Sequence, residues 1–272
     1  MQNQFLIPST LNLTASFKGG RTILSDVSFT APFKVMRPLY TDPAPPGSGN
    51  ARFMTVVVMQ ASPGIMAGDD QAITISVHEG AAVKVTTQAY EKVFCMDGGK
   101  ARRTTHISVA PSSCLYYVPL PVIPFALSHF ESTLDVELAS DTSRFVLAST
   151  IGAGRVAHGE HFAYTCFADL VRVRRAGKLV YRDNTQLTPA DTDMAGFGMC
   201  EGHTHIGSLA IFGAGWADER LDGARALMDE ADGIEGGATR TASGDVVVRL
   251  LGTSGDGVLR VLSRILDEAQ EL

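Results

Sequence analysis

With 272 residues, 45% of them hydrophobic and 19% charged, the chain is long enough to bury a substantial core as one large domain or two small ones. A net charge of −6, with no basic cluster longer than Arg172, Arg174 and Arg175, argues against nucleic-acid binding. Four scattered cysteines without a CxxC pair, no charged and apolar leader, and no apolar run of about 18 residues point to a cytoplasmic chain with reduced thiols.

Taken in order, the chain first reads as strands. "FMTVVVMQ" (53–60) is a dense apolar run, whereas "ITISV" (73–77) and "VKV" (83–85) alternate at period 2. "THISVA", "TLDVELA", "RFVLASTI", "HFAYTCFADLVRVRR" and "KLVYRDNTQL" continue the series to residue 187, separated by turns such as Asp97-Gly98-Gly99. The Pro- and Gly-rich "TDPAPPGSGN" (41–50) predicts a mobile surface excursion. Helices come late: 221–232 carries Leu221, Ala224, Leu227 and Met228 at helical spacing, and 256–272 carries Val258, Leu259, Leu262, Ile265 and Leu266. A strand, "DVVVRLLG" (245–252), lies between them. The expectation is one domain over 1–272. It is mainly β, with a large stacked antiparallel sheet body, sandwich or β-helix-like, over 1–215, and a small α/β portion holding two helices over 216–272.

Four stretches carry candidate chemistry. "CEGHTH" (200–205) sets Cys200, His203 and His205 close together, and His-x-His on a strand points both rings to one side. The same letters suit ordinary loop histidines beside a buried thiol. "SPGIMAGDD" (62–70) offers Asp69 and Asp70 at a turn, where solvated carboxylates are the simpler reading. "VTTQAYEKVF" (85–94) places Thr86, Thr87, Gln88, Glu91 and Lys92 in an apolar strand, which fits either the wall of a wet channel or an edge strand. "GAGRVAHGEHF" (152–162) lacks the spacing of a phosphate loop; Glu160 and His161 remain metal-handling or interface candidates, with Arg155 bracing the turn. Cys95, Cys114 and Cys166 lie in apolar strand contexts, which predict core residues. The absence of a nucleophile elbow, an HExxH helix or a nicotinamide fingerprint weighs against an enzyme.

Six segments in order resemble the urease accessory protein family UreD, also called UreH: "APFKVMRPLY" (31–40), "MQASPGIMAGDD" (59–70), "GAAVKVTTQAYEKVF" (80–94), "LYYVPLPVIPFALSHF" (115–130), "GAGRVAHGEHF" (152–162) and "LVYRDNTQLTP" (179–189). The resemblance implies a non-enzymatic scaffold with a β-rich body and two helices. Such a scaffold associates with UreF, which recruits UreG, and docks on urease apoprotein. It implies nickel in transit through an internal tunnel, with no tightly bound cofactor. By position it carries over Asp69, the Thr86-Thr87-Gln88 and Lys92 strand, Pro121, Pro124, Arg155, Gly159, Glu160 and Asp183. Asp69, Glu160 and Asp183 are the carboxylates expected to face the nickel route, since sparse oxygen ligands release nickel where a thiolate-imidazole set would hold it. On this reading Cys200, His203 and His205 form a transient metal contact at most. The loop 196–207 and the last helix are expected to face UreF. The competing reading is a β-sandwich metalloprotein or metalloenzyme using Cys200, His203 and His205, with Glu160 or His161 as base.

Overall fold

The computed structural model describes residues 7–44, 50, 52–213 and 215–270. Residues 45–49 of the expected excursion therefore lie outside the described residues, as do the last two positions of the expected final helix. The first strands are β1 (Ser9–Lys18), β2 (Arg21–Phe29), β3 (Phe33–Val35), β4 (Met54–Gln60), β5 (Asp70–Val77) and β6 (Ala82–Thr87). They are followed by β7 (Glu91–Val93), β8 (Ala101–Val109), β9 (Cys114–Tyr117), β10 (Val122–Pro124), β11 (His129–Leu138) and β12 (Arg144–Gly152). Next come β13 (Cys166–Arg175), β14 (Lys178–Leu187) and β15 (His205–Phe212). The chain ends with α1 (Asp218–Asp229), β16 (Ile234–Arg240), β17 (Val246–Gly252) and α2 (Gly255–Gln270).

Two sheets face each other. One has seven strands in the order β14-β13-β11-β8-β5-β1-β2; the other has ten, running β16-β17-β15-β12-β9-β6-β4-β3 with β10 attached to β12 and β7 to β10. The chain is thus mainly β with two C-terminal helices, as the hydropathy rhythm predicts. The antiparallel pairing it also suggests holds for β1–β2, β13–β14, β3–β4 and the β12-β15-β17-β16 half of the larger sheet. In the interior, β1, β5, β8, β11 and β13 are parallel neighbours, and so are β4, β6, β9 and β12. After most strands the chain crosses to the opposite sheet instead of folding back beside itself, so hydrogen-bonded neighbours lie one winding apart. Alternation in hydropathy is the same for both pairings and cannot distinguish them.

The main core fills the space between the sheets, with Leu13, Ile75, Ile107 and Val136 facing Val56, Val83 and Phe145. A second core lies on the outer face of the ten-stranded sheet. There α1 buries Leu221, Ala224 and Met228, and α2 buries Val258, Leu262 and Ile265, against Leu209, Ile211 and Val248. Gly207 allows this approach, because a Cβ there would stand 2.8 Å from Val258 and 2.7 Å from Leu250. The opposite face of α2 carries Arg260, Ser263, Arg264 and Asp267, all exposed. A third cluster, around Phe130, Phe167 and Met194, closes one end of the space between the sheets. Among the described residues no helix is long and apolar enough to cross a membrane.

Candidate functional site

Successive side chains of a strand point to opposite faces, so the inner face of the seven-stranded sheet can be followed row by row through its Cα partners. One row reads Leu13, Ile75, Ile107, Val136 and Val173; the next reads Leu11, Ile73, Thr105, Leu134 and Val171. Two residues further along the strands the row becomes Gln71, Arg103, Ser132 and Asp169. Beyond it the face is apolar again, with Ala101, Phe130, Phe167 and Leu187. A polar row therefore crosses four parallel strands between two hydrophobic clusters. On the opposing sheet, Ser149, Ser208 and Arg249 are partners in one row.

Arg103 is the centre of this arrangement. Its Nη1 donates to Glu91 Oε2 at 2.6 Å and its Nη2 to Glu91 Oε1 at 2.5 Å, a fork that joins β8 to β7 across the sheets. Its Nε and Nη2 donate to Gln71 Oε1 at 2.9 and 2.6 Å. Gln60 Nε2 donates to Glu91 Oε1 at 2.5 Å. Both side chains of the pair are largely buried, 13% and 10% exposed, so charge neutralisation here is obligatory. Two buried amide atoms of the same cluster, Gln60 Oε1 and Gln71 Nε2, have no protein partner among the described residues.

The pair borders two neighbouring cavities, or lobes, that share part of their wall. The larger, about 330 Å³, is lined by Gln60, Thr86, Gln88, Tyr90 and Glu91 at its polar side and by Ile73 and Val85 at its apolar side. The smaller, about 70 Å³, is lined by Ser132, Ser149, Thr150 and Asp169. Arg103, Tyr117 and Pro119 form wall in both. Burial raises the Asp169 carboxyl to about 6; the nearby Asp183 adds to the rise, while a hydrogen bond with Ser132 and the charges of Arg103 and Arg249 oppose it. Asp183 pairs with Arg249, which also donates to the Tyr181 hydroxyl at 3.3 Å.

The expected site residues fall into three groups. Thr86, Thr87, Gln88 and Lys92 all line the larger lobe. Thr86 Oγ1 donates to the Val118 carbonyl at 2.9 Å and Thr87 Oγ1 accepts from Leu120 N at 2.9 Å, fixing the wall. Pro121 supplies the carbonyl that accepts from Glu91 N at 2.8 Å, and Pro124 lies opposite Val93 in β10, so the proline segment positions Glu91. Asp183 stands near the end of the polar row. Asp69 and Glu160 are held elsewhere. Asp69 Oδ2 accepts from Met66 N at 2.9 Å and closes its own turn. Glu160 accepts from both Arg155 Nε, at 2.9 Å, and Ala126 N, at 3.2 Å. Hydrogen bonding from Arg155 holds the Glu160 carboxyl below its ordinary range. Arg155 also lies over the Phe125 ring at 4.4 Å, and Gly159, at φ +79°, ends the 3₁₀ turn Val156–His158.

Cys200, His203 and His205 do not converge. Cys200 is buried in the cluster that closes the end of the sandwich, and burial pushes its thiol up. His203 is buried with Nδ1 3.0 Å from the Cys200 carbonyl, and His205 sits with Nδ1 3.0 Å or less from Thr204 Oγ1, at 2.9 Å. Burial pulls the His205 imidazole down. Among the described residues no group of three or more His, Cys, Asp and Glu side chains is placed to hold a metal ion. In the same loop Phe197 is 99% exposed. Gln71, Arg103, Ser132 and Asp169 are functional candidates that the motif reading misses. Their trace in the sequence is a polar residue at the centre of an apolar alternation, Phe130-x-Ser132-x-Leu134 and Phe167-x-Asp169-x-Val171.

The chain matches the family described as UreD urease accessory protein over residues 8–272. The urease accessory protein UreD of Acetivibrio thermocellus is 33% identical over 269 residues, covering 98% of this chain and all of that protein. The urease accessory protein UreH of Helicobacter pylori (strain P12) is 32% identical over 246 residues, 90% of this chain and 88% of the relative. The UreD of Flavobacterium johnsoniae is 29% identical over 259 residues, 94% of this chain and 90% of the relative.

Proposed function

The chain belongs to the UreD urease accessory protein family, and from that premise we propose that it serves urease maturation as the scaffold that joins UreF and UreG, docks on urease apoprotein and passes nickel along the polar row between its sheets. Nickel is cargo in this reading, not a resident cofactor, and the chain performs no covalent chemistry.

The observation that carries the reading is the row Gln71, Arg103, Ser132 and Asp169, flanked on both sides by apolar rows. A buried polar strip lowers stability relative to an apolar one, so its presence inside a sandwich calls for a use. A cation crossing an apolar core would lose its hydration with nothing in return. Along this strip hydroxyls, amides and two carboxylates, Glu91 and Asp169, replace water ligands a few at a time. Oxygen donors so thinly spread bind a borderline ion weakly enough to release it. Asp183, near the end of the row, is the expected carboxylate that fits this route best; Asp69 and Glu160 act as turn braces.

The test is reconstitution. The chain is co-expressed with UreF and UreG, the complex is isolated by size-exclusion chromatography, and nickel delivered to urease apoprotein is measured. Ser149→Met fills the smaller lobe from the opposing sheet. It should leave the complex assembled and cut nickel delivery. Full delivery by an assembled Ser149→Met complex would remove the conduit from the proposal.

A further inference from the structure

We propose that Arg103 is a two-position gate on this route: it closes the junction of the two lobes while paired with Glu91, and opens it when an arriving divalent cation takes Glu91 and the guanidinium moves to Asp169. The inference rests on the conduit reading and adds its regulation.

Arg103 stands where the lobes meet, and its guanidinium is the fixed positive charge there. In a largely buried position such a charge repels a divalent cation strongly, because little solvent screens it. The junction is passable only if the guanidinium is neutralised and displaced. Each lobe contains a carboxylate able to receive it, Glu91 in the larger and Asp169 in the smaller. Arg103 and Asp169 share one row of the sheet with Ser132 between them, two strand spacings or about 10 Å from Cα to Cα. That gap is within the combined reach of an extended arginine and an aspartate. The Tyr117 hydroxyl lies within the electrostatic influence of Arg103, Glu91 and Asp169 alike.

The closed arrangement is incompletely satisfied. Gln60 Oε1 and Gln71 Nε2, an acceptor and a donor beside the ion pair, are buried without protein partners among the described residues. Those two atoms are free to accept and donate new hydrogen bonds if the pair rearranges. When Glu91 turns to a cation, the four hydrogen bonds that Arg103 donates fall to the two accepted by Gln71 Oε1. Charge balances throughout: the cation gains the carboxylate that the guanidinium gives up, and Asp169 gains the guanidinium.

The experiment compares single-turnover nickel transfer in the reconstituted assembly for the wild type, Glu91→Gln, Arg103→Met and the double variant. Trp216 fluorescence and co-elution with UreF verify folding. Glu91→Gln leaves an uncompensated guanidinium in the path and should slow transfer at least about tenfold, the effect of a barrier raised by one charge at short range. Adding Arg103→Met should restore the rate to the wild-type value or above. The double variant holds no unpaired charge, so it remains informative if Arg103→Met alone fails to fold. An unchanged rate in Glu91→Gln, or a double variant as slow as the single one, overturns the gate. Those results leave the conduit standing, whereas normal delivery by Ser149→Met removes the conduit whatever Arg103 does.

Discussion

Replacing Asp169 by Asn should make the isolated chain more stable and a poorer nickel carrier. Burial lifts this carboxyl from 3.8 to about 6, so the folded chain holds the proton more tightly than the unfolded chain does. The resulting penalty is absent where both states are protonated, grows as pH rises between the two values, and is complete above about pH 6. At about 1.4 kcal/mol for each tenfold change in proton affinity, it reaches about 3 kcal/mol. Asparagine keeps the size of the side chain and a hydrogen-bond partner for Ser132, and cannot ionise. The stability gained by Asp169→Asn should therefore increase by about 1.5 kcal/mol between pH 5 and pH 8. Urea unfolding at the two pH values, followed through the sole tryptophan, Trp216, which is 2% exposed, measures this directly. An equal change at both pH values, or a loss of stability at pH 8, would refute a buried ionised carboxylate in the smaller lobe. Paired with slower nickel transfer, the expected result would show stability given up for function.

Other expectations follow from packing and exposure. A methyl group at Gly64 would lie 2.5 Å from the Lys92 carbonyl and 2.6 Å from the Phe94 ring, so Gly64→Ala should shift β7, cost about 1–3 kcal/mol in thermal unfolding, and slow nickel transfer by moving Glu91. Ile265→Ala, at a fully buried position under α2, should cost about 3 kcal/mol in urea unfolding without changing delivery by the assembled complex. Brief iodoacetamide treatment near pH 8 should label Cys95 alone in peptide mass spectra. Cys95 is exposed, against the core position its apolar context predicts, whereas burial raises Cys114 to about 12 and pushes Cys166 and Cys200 up; labelled Cys200 in the folded chain contradicts the packing described. Replacing Cys200, His203 and His205 together should leave nickel transfer intact while UreF still co-elutes. Loss of transfer from an intact complex would restore the metal role of that loop.

Strand rhythm, late helices and family motifs were legible because each is local or collinear. The period-2 pattern of "ITISV" marks a strand whatever lies beside it, and the stripe on 256–272 marks a buried helix face. Parallel pairing was not legible, since Ile75 meets Ile107 through a winding of chain that passes through the other sheet. For the same reason the polar row escapes a linear reading: Gln71, Arg103, Ser132 and Asp169 belong to four strands that only the hydrogen-bond register aligns. Carboxylates were overvalued where they sat in conspicuous turns. Asp69 and Glu160 attract attention by their glycine neighbours, yet those turns consume their oxygens in local hydrogen bonds. The expected strand 85–94 is broken at residues 88–90 into the end of β6 and the separate β7, and its polar residues gained meaning only when Arg103 arrived from the opposite sheet.

The coiled path of the chain also bears on synthesis. Each winding lays down one member of the row, first Gln71, then Arg103, Ser132 and Asp169, with Thr185 beside the last. A nascent or truncated chain that has completed only the early windings already holds an apolar interior, yet it has no through-route for an ion. The proposed passage requires the final parallel strand to be in register. If the conduit proposal holds, the molecule withholds its cargo path from its own unfinished forms.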